Sequence, residues 1–234
     1  MITKQWLDKY ELVKEKLMCN TDLESYFSKK QIGEINIDIL EIGNVHFPTG
    51  VVFACDPFIE MEDALPYIQK VPAGIYPVKI CVIPNQEYGN RYACVKVEIC
   101  NRKPIRYELG MTGTENLEQV GEDGGFFGFG VDAGMGCIAD IQTQEAYTNY
   151  LEECEDIDSL LCDILAKSYK ENPQYQTKYG NWANWTIPKT DCNILIFSSG
   201  WGDGVYPCYF GYDEKGDVCG LYILFIDIEN EFEE

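Results

Sequence analysis

Strand-like segments are grouped toward both ends of this chain, and two helix-like segments lie between them. Apolar residues at helical spacing occupy residues 143–154 and 158–169, with Asp158 as a plausible N-cap. Strands and helices that are grouped, rather than alternating, are typical of the α+β class. The sequence therefore predicts mainly antiparallel sheet with an N-terminal helix and a central helical insertion. The predicted strands are residues 35–40, 45–47, 51–54, 74–83, 91–99, 105–109, 192–197, 205–212 and 218–228.

The order of these segments also predicts local pairings. Residues 48–50, Pro-Thr-Gly, separate two apolar runs and indicate a hairpin. Residues 74–83 and 91–99 are predicted to pair, and residues 192–228 to form an antiparallel meander.

The two ends of the chain have their own character. Residues 3–18 have the spacing of an amphipathic helix, and residues 19–30 indicate a second, short one. Residues 229–234 are almost all acidic and are predicted to fray. Because no low-complexity linker interrupts the sequence, residues 1–234 are predicted to form a single α+β domain with N-terminal helices in residues 1–30.

Glycines are concentrated in two stretches, residues 127–140 and residues 198–207. The second stretch follows an apolar run directly, so the strand is steered into a backbone path that favours glycine. We therefore expect at least one of Gly200, Gly202 and Gly204 to have a positive φ angle, where a side chain is disfavoured.

Three aspartates lie in these glycine-rich stretches: Asp132, Asp140 and Asp203. Carboxylates that meet in one place can bind a divalent cation and support hydrolysis, so these residues are candidate catalytic and metal-binding groups. The alternative is that each aspartate braces its own turn by accepting backbone N–H hydrogen bonds. The bracing interpretation is favoured, and neither a metal nor another cofactor is predicted.

The glycine-rich stretches belong to a set of motifs distributed over residues 40–228. The set resembles a widespread, mainly bacterial family of unknown function, and this resemblance implies a single-domain fold but no activity. The motifs are Pro48-Thr49-Gly50, Ala54-Cys55-Asp56-Pro57, residues 71–78, Val131-Asp132-Ala133-Gly134 with Cys137 and Asp140, Ser199 to Gly204 with Tyr206-Pro207, Gly211-Tyr212-Asp213 with Gly216, and Phe225 with Asp227.

Aromatic residues supply a second set of candidate binding groups: Trp182, Trp185, Trp201 and Tyr206. Tryptophan and tyrosine are frequent anchors in interfaces. Residues 170–191 are predicted to form a long loop that carries the first two. Packing in the core is the alternative, and it is favoured more for Trp201 than for Trp182 and Trp185.

The formal net charge of −21 restricts the partners of this protein. Because such an acidic protein repels phosphate groups, neither nucleic acid nor an anionic membrane is an expected partner. The charge is complementary to a basic protein, as in bacterial immunity proteins that neutralise cationic toxins.

Cysteine and histidine usage points to a reducing compartment. The chain has eleven scattered cysteines, no C-x-x-C pair and one histidine, His46, which argues against a zinc site. Residues 1–18 lack the apolar core of a signal peptide, and no apolar run is long enough to span a membrane. The sequence thus predicts a cytoplasmic protein with unbridged cysteines.

Two functions from different classes follow from the sequence. The favoured one is an acidic, non-enzymatic binding protein for a basic partner. The alternative is a divalent-cation-dependent hydrolase that uses Asp132, Asp140 and Asp203. Convergence of the three carboxylates in one cleft distinguishes the second from the first.

Overall fold

A computed structural model of the chain describes residues 2–85, 89–122, 124–154 and 159–232. Strand exceeds helix, 35% against 22%, which confirms the predicted mixed α+β class. The α-helices are α1 (Lys4–Val13), α2 (Ser25–Ser28), α3 (Ile141–Glu153), α4 (Leu160–Glu171) and α5 (Ile228–Glu231), and short 3-10 helices span Lys14–Leu17 and Leu117–Gln119. The strands are β1 (Gln31–Ile32), β2 (Ile35–Asn36), β3 (Asp38–Phe47), β4 (Val52–Cys55), β5 (Gly74–Ile83), β6 (Arg91–Glu98), β7 (Arg106–Leu109), β8 (Phe129–Val131), β9 (Met135–Asp140), β10 (Trp182–Thr186), β11 (Asn193–Ser198), β12 (Gly204–Tyr206), β13 (Cys208–Tyr212) and β14 (Val218–Leu224).

Two antiparallel sheets form the body of the structure. The larger has six strands in the order β3-β5-β6-β14-β13-β7, and the smaller has four in the order β10-β11-β9-β4. Two short ribbons, β8 with β12 and β1 with β2, are the other paired strands in the described residues. The predicted β5–β6 pair is confirmed.

The four-stranded sheet is buried on both of its faces. Leu195 and Phe197 of β11 belong to the core between the two sheets, whereas Ile194 and Ile196 belong to a second core beneath α3 and α4. Successive side chains of a strand point to opposite faces, so a strand covered on both sides has a continuous apolar run. This explains the uninterrupted apolar sequence of β11.

The central helices lie over this sheet and match the predicted insertion. Leu161 and Leu165, one turn apart on α4, are buried in the second core. Asp140 is the N-cap of α3, and its side chain accepts a hydrogen bond from the Gln142 N–H. The N-cap predicted at Asp158 lies outside the described residues.

The predicted hairpin between residues 45–47 and 51–54 is wrong. β3 pairs with β5 in the six-stranded sheet, whereas β4 pairs with β9 in the four-stranded sheet. The Pro-Thr-Gly segment therefore carries the chain from one sheet to the other. Gly50 has a φ of +72°, and its N–H donates to the carboxylate of Asp140 instead of closing a hairpin.

The predicted meander over residues 192–228 is correct only for its last two strands. β13 and β14 form the expected hairpin in the six-stranded sheet. β11, however, pairs with β9 and β10, and β12 pairs with β8. The glycine turn after β11 leads the chain out of the four-stranded sheet, so β12 does not pair with β11.

Predictions for the chain ends need two corrections. The helix predicted for residues 19–30 is reduced to α2, because Cys19 pairs as an isolated bridge with Tyr107. The acidic end does not fray over residues 229–232, since α5 is present and the Trp201 indole N–H donates to Glu231 at 2.6 Å. Residues 233 and 234 lie outside the described residues.

The cysteines are unbridged, and all eleven lie within the described ranges. The Sγ atoms of Cys55 and Cys137, which are opposite each other on β4 and β9, lie 3.4 Å apart in the second core. None of the helices in the described part of the chain has the length and apolar character needed to cross a bilayer.

Two asparagines, Asn184 on β10 and Asn193 on β11, join the four-stranded sheet to β3 at the edge of the six-stranded sheet. The Asn193 side chain donates to the Asn44 carbonyl at 2.8 Å and to the Asn184 side chain at 2.7 Å, and it accepts from the His46 N–H at 2.8 Å. The Asn184 side chain donates to two carbonyls of β3 at 3.1 and 3.0 Å. A Cβ at Gly43 would lie 2.7 Å from that amide nitrogen, so the close approach favours glycine.

We expect Asn193→Ala to lower the free energy of unfolding by about 2 kcal/mol, because it leaves several nearby polar groups without partners. Urea unfolding followed by circular dichroism measures this difference. Asn149→Ala, on the exposed side of α3, is the matched control and should change stability by no more than about 0.5 kcal/mol. Equal effects of the two substitutions would show that the amide bridge contributes nothing specific.

Candidate functional site

The two glycine-rich stretches meet in space. We call residues 131–134 and 199–204 the glycine corner. The Ser199 N–H donates to the Gly134 carbonyl at 3.1 Å, and Val131 pairs with Gly204 across the β8–β12 ribbon. Gly200 and Gly202 have φ angles of +65° and +101°, which confirms the predicted left-handed backbone.

Asp132 and Asp203 stand opposite each other on this corner. They are the next residues outward from the Val131–Gly204 pair, and both are exposed. The prediction that Asp203 braces its own turn is wrong, because its carboxylate accepts no hydrogen bond from any described residue. The hydroxyls of Ser199 and Tyr206 hold the turn instead, each donating to the Gly202 carbonyl, at 2.7 and 2.9 Å.

The brace of the corner is Asp56, which sequence reasoning did not select. Its buried carboxylate accepts from the N–H groups of Asp132 at 3.0 Å, Ala133 at 2.7 Å and Phe58 at 2.9 Å. The available signal was an aspartate directly after an apolar strand and before Pro57.

Asp140 is a second buried brace, at the other end of β9. Its carboxylate accepts from the N–H groups of Thr49 at 3.0 Å, Gly50 at 2.9 Å and Gln142 at 2.9 Å, and from the Thr49 hydroxyl. The carboxylate thereby joins the crossing between the sheets to the start of α3.

The structure does not bring the three predicted aspartates together. β9 runs from Met135 to Asp140 and extends about 17 Å at the usual rise per residue. Asp140 is therefore too far from Asp132 to share one cation with it. In the described residues, no group of three or more His, Cys, Asp or Glu side chains is arranged to hold a metal ion.

The predicted aromatic residues lie in two different places. Tyr206 is buried, with its ring 4.9 Å from that of Phe225. Trp201 is 53% exposed, so the expectation that core packing suits it better than Trp182 and Trp185 is wrong. Its ring lies under the Arg91 guanidinium, and its indole N–H donates to the Glu231 carboxylate. Trp182 and Trp185 lie on β10, a strand that replaces the middle of the predicted loop.

A groove of about 880 Å³ opens beside β10. α4 forms one wall, the bulged part of β3 forms the other, and the edge of β10 lies between them. Trp182 and Trp185 both border this groove, which therefore contains two of the four predicted aromatic residues. Trp201 and Tyr206 are not among its lining residues.

Aromatic rings and carboxylates give the groove its chemistry. Trp185 is half-buried and packs edge-on against Tyr147 and Tyr150, with ring centroids 6.3 and 5.4 Å away. Burial raises the pKa of Tyr147 to about 12, so this ring is neutral at physiological pH. The exposed carboxylates of Asp163 and Glu171 on α4 and of Glu41 on β3 line the groove. Lys167 is the one cationic side chain among the described lining residues, and its ammonium lies 4.0 Å from the Glu171 carboxylate.

Sequence reasoning selected the tryptophans of this groove but not its carboxylates. Asp163 and Glu171 look like ordinary solvent-facing residues of an amphipathic helix, and Glu41 lies in a different segment altogether. No local pattern marks them, because only the packing of α4 and β3 on either side of β10 brings them together.

Two antiparallel sheets with a helical pair on the outer face of the smaller one define a mixed α+β protein in which sheet predominates. The chain belongs to the family described as "Protein of unknown function (DUF4241)", whose model matches residues 45–223. The matched span contains the glycine corner, Asp56, Asp140, α4 and β10. Neither the curated proteins nor the solved structures contain a significant match.

Proposed function

We propose that this protein is an acidic, non-enzymatic binding protein that acts in the cytosol and takes a basic segment of a partner protein, such as a cationic toxin, into the groove beside β10. The observation that supports the proposal is the lining of that groove. Carboxylates from both walls surround an aromatic floor, so a cationic side chain can meet negative charge while an apolar neighbour packs on Trp185.

The net charge of the whole chain also supports binding of a cationic partner. A formal charge of −21 steers a cationic partner toward the surface over a distance of about a Debye length, and it raises the association rate at low salt. The groove then supplies the short-range contacts that a diffuse field does not. The hydrolase alternative gains no support, since Asp140 is separated from Asp132 and Asp203 by the length of β9.

A short peptide of alternating lysine and valine tests the groove directly. We expect it to bind at low salt and to change Trp fluorescence, since Trp185 is half-buried in the groove. A peptide of alternating glutamate and valine should not bind. The double variant Asp163→Asn/Glu171→Gln should weaken the lysine peptide by about tenfold, which corresponds to about 1.4 kcal/mol.

The matched control is Asp8→Asn/Glu15→Gln, which makes the same chemical changes at exposed positions outside the groove. It removes the same formal charge, so it corrects for long-range attraction. Equal weakening by the two double variants would reduce the interaction to nonspecific attraction and overturn the groove as the site. Absence of binding to the lysine peptide would overturn the proposed function.

A further inference from the structure

β10 is an edge strand, and its outer edge faces the groove. It pairs with β11 and with no other strand in the described residues. On the inner side, the Ser198 N–H donates to the Asn181 carbonyl and the Ile187 N–H donates to the Cys192 carbonyl. Residues along an antiparallel pair alternate between hydrogen-bonded and non-hydrogen-bonded positions. The backbone N–H and C=O groups of the odd-numbered residues of β10 therefore bond to β11, and those of the even-numbered residues point away from β11.

The outward groups of β10 are therefore those of Trp182, Asn184 and Thr186. The Trp182 N–H donates to the Gln176 side chain at 3.2 Å. The Trp182 carbonyl, the Asn184 N–H and carbonyl, and the Thr186 N–H have no hydrogen-bond partner within the described ranges. These groups have the alternating donor and acceptor order that a further strand requires.

We propose that the basic partner segment binds as an added β-strand along the outer edge of β10, in the slot between α4 and β3. This inference rests on the proposed function, because the occupant is the same basic segment. Main-chain hydrogen bonds to Asn184 and Thr186 would give affinity, and the side chains of the segment would give selectivity.

The walls of the slot indicate which segment fits. Alternate side chains of an added strand point to opposite faces, so one set would meet α4 and the other β3. The α4 side offers the apolar surfaces of Ile164 and Trp185 beside Asp163, and the β3 side offers Glu41. A strand that alternates apolar and basic residues matches both walls.

The charge of the chain argues against a second copy as the occupant. Pairing two β10 edges would bring together two molecules that each carry a formal charge of −21, and like charges oppose such association. A basic foreign segment gains attraction from the same field.

Backbone methylation separates strand addition from electrostatic binding. Each edge of the lysine–valine peptide can be blocked on its own, by N-methylating either all its lysines or all its valines. We expect one of these two peptides to bind about tenfold more weakly than the unmethylated peptide while keeping every charge. Equal binding of all three peptides would overturn strand addition but leave the proposed function intact. Failure of the unmethylated peptide to bind would overturn both.

Substitutions on the protein provide a second measurement. Thr186→Pro removes an outward N–H that β11 does not use, and proline is tolerated on strand edges. Thr186→Ala keeps the N–H and is the matched control. We expect about tenfold weaker peptide binding for Thr186→Pro alone. If Thr186→Pro does not fold, the methylated peptides decide. Sedimentation that shows a dimer lost in Thr186→Pro would overturn the foreign partner in favour of a second copy.

Discussion

Asp140→Ala is expected to lower the free energy of unfolding by about 4 kcal/mol or more. The substitution leaves the N–H groups of Thr49, Gly50 and Gln142 without an acceptor, and hydrogen bonds to a charged group contribute about 1.5–3 kcal/mol each. It also removes the N-cap of α3. Chemical denaturation, with the midpoint and slope fitted together, measures the loss.

Asp132→Ala and Asp203→Ala are matched controls for Asp140→Ala. Both aspartates are exposed, and neither carboxylate is hydrogen-bonded to a described residue. We expect each change to stay within about 0.5 kcal/mol of the natural protein. A large loss at Asp203 with little loss at Asp140 would mean that the buried and exposed roles are assigned the wrong way round.

We expect Gly50→Ala to lower the free energy of unfolding by about 3 kcal/mol or more. Gly50 has a φ of +72°, and a Cβ there would lie 1.9 Å from the Val71 carbonyl oxygen. The backbone cannot withdraw easily, since the Gly50 N–H donates to Asp140 and its carbonyl accepts from Val71. Thermal and urea unfolding both measure the loss.

Gly216→Ala isolates the steric part of that effect. Gly216 has a φ of +81°, but a Cβ there would have no atom within 4 Å. Its substitution should therefore carry only the left-handed backbone cost, about 1 kcal/mol. If Gly50→Ala and Gly216→Ala were equally mild, the crossing between the sheets would be able to move, and its description as a fixed junction would be incorrect.

The brace at Asp140 supports one wall of the groove. Asp140 fixes the start of α3, and α3 packs with α4 and β11 around the second core. α4 in turn forms one wall of the groove. Asp56 and Asp140 thus brace the scaffold from buried positions, whereas the carboxylates on the groove walls are exposed to solvent. This division explains why the candidate site does not coincide with the glycine-rich motifs.

Local patterns in the sequence were sufficient for the elements themselves. The period-2 runs located most strands, the helical spacing located α3 and α4, and the glycine clusters indicated left-handed backbone at Gly200 and Gly202. Charge requires no structure at all, because it is a sum over residues. These properties depend only on each residue and its near neighbours in the chain, so the amino-acid sequence is enough to determine them.

Only the tertiary structure decided which elements meet. The continuous apolar run of β11 indicates that both faces of the strand are buried. It does not indicate which strands pair with β11 or which helices cover it. Asp56 and Ala133 are 77 positions apart, and the groove combines β3 with α4 and β10 from the other half of the chain. Such contacts depend on packing between distant segments, which no local spacing encodes. The sequence by itself therefore determined the class, the elements and the charge, and packing determined the braces, the free edge of β10 and the groove.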